Sequence, residues 1–263
     1  LTIRNTALAA ALPAGQRAIS EALLKARMDM RALPGFPGEL PATLDEAYDV
    51  QDASRAKWPD RVAGWKVGGV PRAFLSRFDA KWLCGPIFEQ SVVQVDSNKR
   101  AQMPVFTSGF AAIEPEFVLR MGETGDDDRL FIGAEIASSP VPDINDYGPI
   151  AVICDFGNNR GLLIGDEITD WRDYDQPVRV DTVIDGRSVG TKELAKLQTG
   201  VATAREFLTD HAARRGFALP EGTYISCGAI TGVHEALAGA QSAIDFGALG
   251  QLELELVPAA DTR

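Results

Sequence analysis

The chain opens on two stretches in which apolar positions return every three to four residues. Between Gln16 and Met30, Ile19, Ala22, Leu23 and Ala26 follow that period and predict an amphipathic helix. Thr43-Leu44-Asp45-Glu46 is a capping box that starts a second helix, running through Tyr48 and Val50 to about Lys57 and stopped by Pro59. Pro34, Gly35, Pro37, Gly38 and Pro41 make the segment between them a linker. From Val62 the pattern shortens to strands and glycine turns. Strands are expected over Val62 to Gly69, from a turn at Leu83 to Phe88, over Ser91 to Val95, Ala112 to Arg120 and Leu130 to Ile136. Ala151 to Cys154 and Leu162 to Ile164 are further strand-like runs. Val178 to Ile184 closes through Asp185-Gly186 onto Arg187 to Val189 as a hairpin. Ala202 to Arg214 is a later helix, Tyr224 to Gly232 a strand entering a glycine turn, and a last strand follows Gly250. Many short strands, few helices and no alternation of strand and helix predict an α+β or mostly β protein without internal repeats. Residues 1–61 are read as a small helical region flanking or covering a main domain of residues 62–263.

One strand carries its polar positions differently. Side chains two apart on a strand share a face, so Glu114 and Glu116 stand side by side while Ile113, Phe117 and Leu119 face the other way. Glu135, in the next apolar run, could return antiparallel beside them. Carboxylates this close need a shared proton, screening water or a cation, and three of them around one open position suit magnesium or a similar hard ion. The same spacing also describes a strand with one wet face, as in the tail Gln251-Leu252-Glu253-Leu254-Glu255-Leu256, and spacing alone favours that reading. Pro115 counts the other way, because proline inside a strand marks an edge or a bulge, and bulges re-aim side chains near sites.

Composition narrows the function classes. The 263 residues are 45% hydrophobic and 24% charged, enough for a sizeable core. A net charge of −11 argues against nucleic-acid or anionic-membrane partners and means that an anionic substrate needs local help from a metal ion, lysine or arginine. No apolar run approaches the roughly 20 residues of a membrane span, and Leu1 to Ala14 does not resemble a secretory leader. Cys84, Cys154 and Cys227 have no CxxC spacing and read as buried inert thiols in a reducing, cytoplasmic setting.

Other candidate groups are scattered. Lys66 sits in an apolar strand between glycines, where it either snorkels to water from a sheet edge or lies in an apolar pocket with a depressed pKa and exchanges protons with substrate. Asp155-Phe156-Gly157-Asn158-Asn159-Arg160-Gly161 gathers amides, carboxamides and a guanidinium, or is an ordinary turn. Thr231 could offer its hydroxyl and amide. His211 reads as a surface or half-buried histidine among charged neighbours, and no phosphate loop or GxGxxG motif occurs.

In their order, Gly64-x-Lys66-Val67-Gly68, Gly85-Pro86-Ile87-Phe88, Glu114-x-Glu116, Glu135, Gly228-Ala229-Ile230-Thr231-Gly232 and Phe246-Gly247-x-x-Gly250 resemble the 2-oxopent-4-enoate hydratase and 4-oxalocrotonate decarboxylase group of the fumarylacetoacetate hydrolase superfamily. Thr43 to Tyr48 in the helical part is similar as well. The resemblance implies a mixed β-roll and a Mg²⁺ or Mn²⁺ ion held by Glu114, Glu116 and Glu135. It implies homo-oligomers and a small anionic 2-oxo acid or 2-hydroxy-2,4-dienoate substrate from aromatic-ring breakdown. It places Lys66 at the catalytic lysine and Asp155, Asn158, Asn159 and Thr231 around the substrate. The implied reaction is hydration, with decarboxylation, tautomerisation or mere 2-oxo acid binding as alternatives. Two departures matter. Leu83 stands where hydratases carry an aspartate, which leaves Asp79, four residues away, as the nearest catalytic acid, and Phe156-Gly157 alters the usual polar stretch. The absence of a histidine before His211 argues against carbon–carbon hydrolysis.

Overall fold

A computed structural model describes residues 12–95 and 99–259, so the stretch read for a leader lies outside the described residues as far as residue 11. Helices α1 (Ala14–Met28) and α2 (Leu44–Lys57) form where the apolar period and the capping box predict them, with Thr43 Oγ1 accepting the Glu46 amide at 3.2 Å. The strands are β1 (Val62–Gly69), β2 (Trp82–Phe88), β3 (Val92–Gln94), β4 (Ala101–Val105), β5 (Phe110–Arg120), β6 (Arg129–Ser139), β7 (Asn159–Glu167), β8 (Val178–Ile184), β9 (Arg187–Leu194), β10 (Tyr224–Ser226), β11 (His234–Glu235), β12 (Gln241–Asp245) and β13 (Gln251–Pro258). Helices α3 (Pro149–Cys154) and α4 (Gln198–Arg215) complete the described α-helices, and six short 3-10 turns lie between elements. Two expectations change. Residues 83–88 belong to one unbroken strand, and the apolar run 151–154 is helical because Gly148 turns at φ 84° and Pro149 is preset for a first helical turn.

The architecture is α+β, with two mixed sheets. One runs β2-β1-β10-β5-β6-β7-β3, with β11 also on β5; the other runs β4-β13-β12-β8-β9. Their facing surfaces make the core, where Phe117 of β5 lies 6.0 Å from Phe246 and Leu252, Leu254 and Leu256 of β13 are buried. Each such side chain contributes roughly 2 kcal/mol by leaving water. Ile19 and Leu23 of α1 and Tyr48 and Val50 of α2 belong to the same buried cluster as these strands. Asp185 (φ 49°) and Gly186 (φ 74°) make the predicted two-residue hairpin between β8 and β9.

β5 and β6 pair antiparallel in one unshifted register that sets Glu114 directly opposite Glu135. No bulge occurs at Pro115 in that pairing; the interruption is on the other flank. There β10 pairs with residues 118–120 and β11 with residues 112–113, and the loop between them crosses the gap, where the Cys227 and Ile230 amides donate to the Phe117 and Pro115 carbonyls. A residue without an N–H thus falls where the ladder has no partner strand.

Candidate metal and substrate site

Strands β1, β5 and β6, with β10 between the first two, bring four charged side chains to one face of the first sheet. Lys66 on β1 pairs in register with Ser226 on β10, Ser226 with Val118 on β5, and Glu116 and Glu114 follow Val118 at intervals of two. Glu114, Glu116 and Glu135 each place a carboxylate oxygen within 4.8 Å of the others, all three buried. The wet-face reading of this strand therefore fails here: every residue of β5 except Arg120 is buried.

Lys66 does not snorkel. β1 lies between β2 and β10, and the ammonium is buried, donating to Glu135 Oε2 at 2.6 Å and Asn158 Oδ1 at 3.1 Å and lying 3.7 Å from Glu114. Burial alone pulls its pKa down, but Glu114 and Glu135 outweigh that and hold it above the ordinary lysine value, which corrects the expectation of a depressed pKa. Burial raises Glu135 to about 7, against the pull of Lys66 and with the push of Glu114. Glu116 is also raised well above the ordinary carboxylate value, first by burial and then by Glu114 and Glu135. It accepts hydrogen bonds at Oε2 from the Ser226 hydroxyl and from the Gly228 amide at 2.9 Å, while its Oε1 is buried with no partner among the described residues. One ammonium facing three carboxylates, with one carboxylate oxygen orphaned, is a cluster short of positive charge. Its all-oxygen donor set fits a hard divalent cation.

The polar turn after α3 supports this cluster from the side. Phe156, Gly157 and Asn158 all have positive φ (57°, 66° and 53°), a left-handed run that places Asn158 on Lys66. Glycine is required twice: a Cβ on Gly85 would meet the Phe156 carbonyl oxygen at 2.1 Å, and one on Gly157 would press on the Lys66 side chain at 3.1 Å. Asn159 donates to Glu135 Oε1 at 2.8 Å, orienting the carboxylate opposite Lys66.

A cavity of about 610 Å³ opens over the cluster, with Lys66, Glu114 and Asn158 at its base and Leu83, Val152, Leu197 and Ile230 among its apolar walls. Lys192 and Lys196 also line it and have no ion-pair partner among the described residues. Three of the expected residues lie elsewhere. Asp79 is exposed and lines a different hollow, because the β1–β2 connection carries it outward, while Leu83 faces the first cavity. Asp155 is clamped by the buried Arg27 guanidinium at 2.5 and 2.8 Å, a link that ties α1 to the turn. Thr231 bonds Thr182 and His234, both at 2.8 Å, and is not in the cavity wall. Asn159 reaches Glu135 and does not line the cavity. His211 is buried, deeper than its reading as a surface or half-buried residue.

Sequence reasoning missed Ser226, Gly228 and Arg27. Gly228 lay inside a quoted motif, but nothing in the pattern marked its amide as a partner for Glu116. The three cysteines are buried and free, as expected, and burial pushes each thiol up, Cys84 to about 12. Among the described residues, no helix is long and apolar enough to cross a membrane.

No protein-family model and no curated protein matches the chain in sequence. Solved structures do match in fold. The 4-oxalocrotonate decarboxylase from Pseudomonas putida G7, complexed with magnesium and adipate, superposes with a TM-score of 0.73 at 20% identity over 91% of this chain and 96% of that one. The same enzyme complexed with calcium and acetate gives 0.68 at 21% identity over the same shares. Fumarylpyruvate hydrolase from Pseudomonas aeruginosa, in complex with Mn²⁺ and pyruvate, gives 0.56 at 16% identity over 77% and 91%. This chain shares their fold, which is the fold that the motif resemblance implied.

Proposed function

We propose that the protein is a divalent-metal-dependent lyase of the 2-oxopent-4-enoate hydratase and 4-oxalocrotonate decarboxylase group, and that decarboxylation of a small 2-oxo dicarboxylate suits its cavity better than hydration. The observation that carries this reading is the buried cluster of Glu114, Glu116 and Glu135 against Lys66, with one carboxylate oxygen orphaned, at the base of a mostly apolar cavity. Support comes from fold neighbours complexed with magnesium, calcium and manganese and with small organic acids.

The three glutamates would hold the ion, which would supply positive charge to the 2-oxygen and carboxylate of the substrate. Other contributions come from the chain itself. Lys192 and Lys196 attract an anion that the overall charge of −11 repels. Leu83, Val152 and Leu197 keep water from the carbon chain. In the decarboxylation of a conjugated 2-oxo dicarboxylate, the C–C bond to the remote carboxylate breaks and CO₂ leaves. The electron pair moves through the chain to the 2-oxygen, and a proton is then returned to carbon; Lys66, on the cavity wall, would carry it. Hydration also needs an acid to deliver water. Glu114 is the one carboxylate on the cavity wall among the described residues, Leu83 replaces the expected aspartate, and Asp79 faces another hollow.

A panel of 2-oxo and dienoate acids, assayed with Mn²⁺ and again after chelation, tests the proposal. Turnover of a dicarboxylate with CO₂ release is expected, and turnover indifferent to chelation would count against the reading. Lys66→Ala separates enzyme from binder, since it abolishes turnover with little change in affinity only if the lysine acts chemically.

A further inference from the structure

A second hollow, of about 730 Å³, lies between the start of α2, the connection from β1 to β2 and the last turns of α4. It takes no part in the metal chemistry above and is argued independently of it. His211 is on its wall with a residue exposure of 5%, and its ring has no hydrogen-bond partner among the described residues. The imidazole packs among other rings, with centroids at 4.4 Å from Tyr48, 5.7 Å from Phe207 and 6.0 Å from Phe217. A buried imidazole so placed leaves one donor and one acceptor for a ligand.

The charges around it have a defined arrangement. Arg215 is held by Asp49 and Asp52 at 2.7 and 2.6 Å, but Arg77 and Arg214, also on the wall, have no carboxylate partner among the described residues. The wall carries two carboxylates, Asp45 and Asp79, which count against a multiply charged anion. The capping box of α2 engages the Glu46 amide on Thr43 Oγ1 and the Ala42 amide on Glu46 Oε2. Phe78, Trp82 and Phe207 supply flat apolar surface. Burial, then Arg215 and Arg214, lower His211 to about 4, so near neutral pH it is an uncharged donor and acceptor.

We propose that this hollow binds a small aromatic carboxylate bearing a hydroxyl group, with the ring on Trp82 and Phe207, the carboxylate on Arg77 and Arg214, and the hydroxyl on His211. Trp82 lines both cavities, so a ligand here bears on the wall of the first, and any coupling must be reciprocal.

Calorimetric titration of the full chain with 4-hydroxybenzoate, benzoate and phenol tests this, with and without excess Mg²⁺ and pyruvate to occupy the first cavity. One saturable site for 4-hydroxybenzoate is expected in both conditions, with benzoate and phenol each weaker by about tenfold, the scale of one buried hydrogen bond or more. The exposed pair Arg77→Gln/Arg214→Gln should weaken binding at least about tenfold without altering the melting temperature. His211→Asn, which keeps a polar group, should narrow the preference for 4-hydroxybenzoate over benzoate. Absence of saturable binding, abolition by Mg²⁺ and pyruvate, or full affinity in the double arginine variant would each overturn the proposal. None of these outcomes bears on the metal-dependent reading, which stands or falls with Glu116→Gln turnover.

Discussion

β5 and β13 carry the same written pattern, two glutamates separated by one residue, and put it to opposite uses. On β13, Leu252, Leu254 and Leu256 fill the core while Glu253 and Glu255 stay partly exposed, with Glu253 on Arg100 at 3.1 Å. On β5, Ile113, Phe117 and Leu119 also fill the core, but the opposite face is covered too, so Glu114 and Glu116 are buried. A surface glutamate is screened by water and contributes little. A buried one needs a cation, a proton or a donor, and the β5 pair has Lys66, Ser226, the Gly228 amide and an oxygen left over. The number of covered faces, and not the motif, separates a solvated strand from a charged cluster.

Substitutions can break that contrast. Glu116→Gln or Glu135→Gln should lower metal-supported turnover by about 10³ or more, the several kcal/mol a bound ion supplies, as read by steady-state kinetics over a Mn²⁺ titration. Lys66→Met should cost about 10²–10⁴ in turnover and leave three buried carboxylates without their cation, so the metal-free protein should melt earlier and recover more when Mn²⁺ is added. Ser226→Ala, which removes a donor to Glu116, should weaken metal affinity about 10–100-fold, measured by calorimetry, with the fold intact by circular dichroism.

A pH series sharpens the same comparison. The pKa of Glu135 in the folded chain, about 7, lies above its ordinary 4.5, so the folded state keeps a proton that the unfolded chain has shed. The associated stability is complete below about pH 4.5 and is lost as pH rises through about 7. The melting temperature of the metal-free protein, taken as a difference from Glu135→Gln, should therefore fall across that window, and Mn²⁺ should remove the fall. The smallest effect belongs to β13: Glu253→Gln and Glu255→Gln should each change stability by less than about 0.5 kcal/mol and leave turnover unaltered.

Much of the scaffold was legible from local chemistry. The period at Ile19, Leu23 and Ala26, the capping box at Thr43 and Glu46, and the Asp185-Gly186 turn each act through neighbours a few residues away. The side-by-side placement of Glu114 and Glu116 and the antiparallel return of Glu135 follow from strand geometry. The run 151–154 was misjudged because a four-residue apolar stretch fits a buried strand or a buried helix equally well, and Gly148-Pro149 decides for the helix only once the chain is folded. Asp155 and Thr231 are expected at the site from their position in motifs, and Asp79 as the nearest acid to Leu83. Arg27, which holds Asp155, and Thr182, which bonds Thr231, lie far away in the chain, and the β1–β2 connection carries Asp79 outward.

By itself, then, the sequence determined the elements, the spacing of the acidic pair and the lysine between glycines, because helix and strand periods are local properties of the backbone. Only the tertiary structure decided that the pair on β5 is buried, that Lys66 is locked to Glu135, that Leu83 lines the first cavity, and that His211 faces a hollow of its own. Burial and long-range charge depend on which distant segments cover a face, and no periodicity within that face records it.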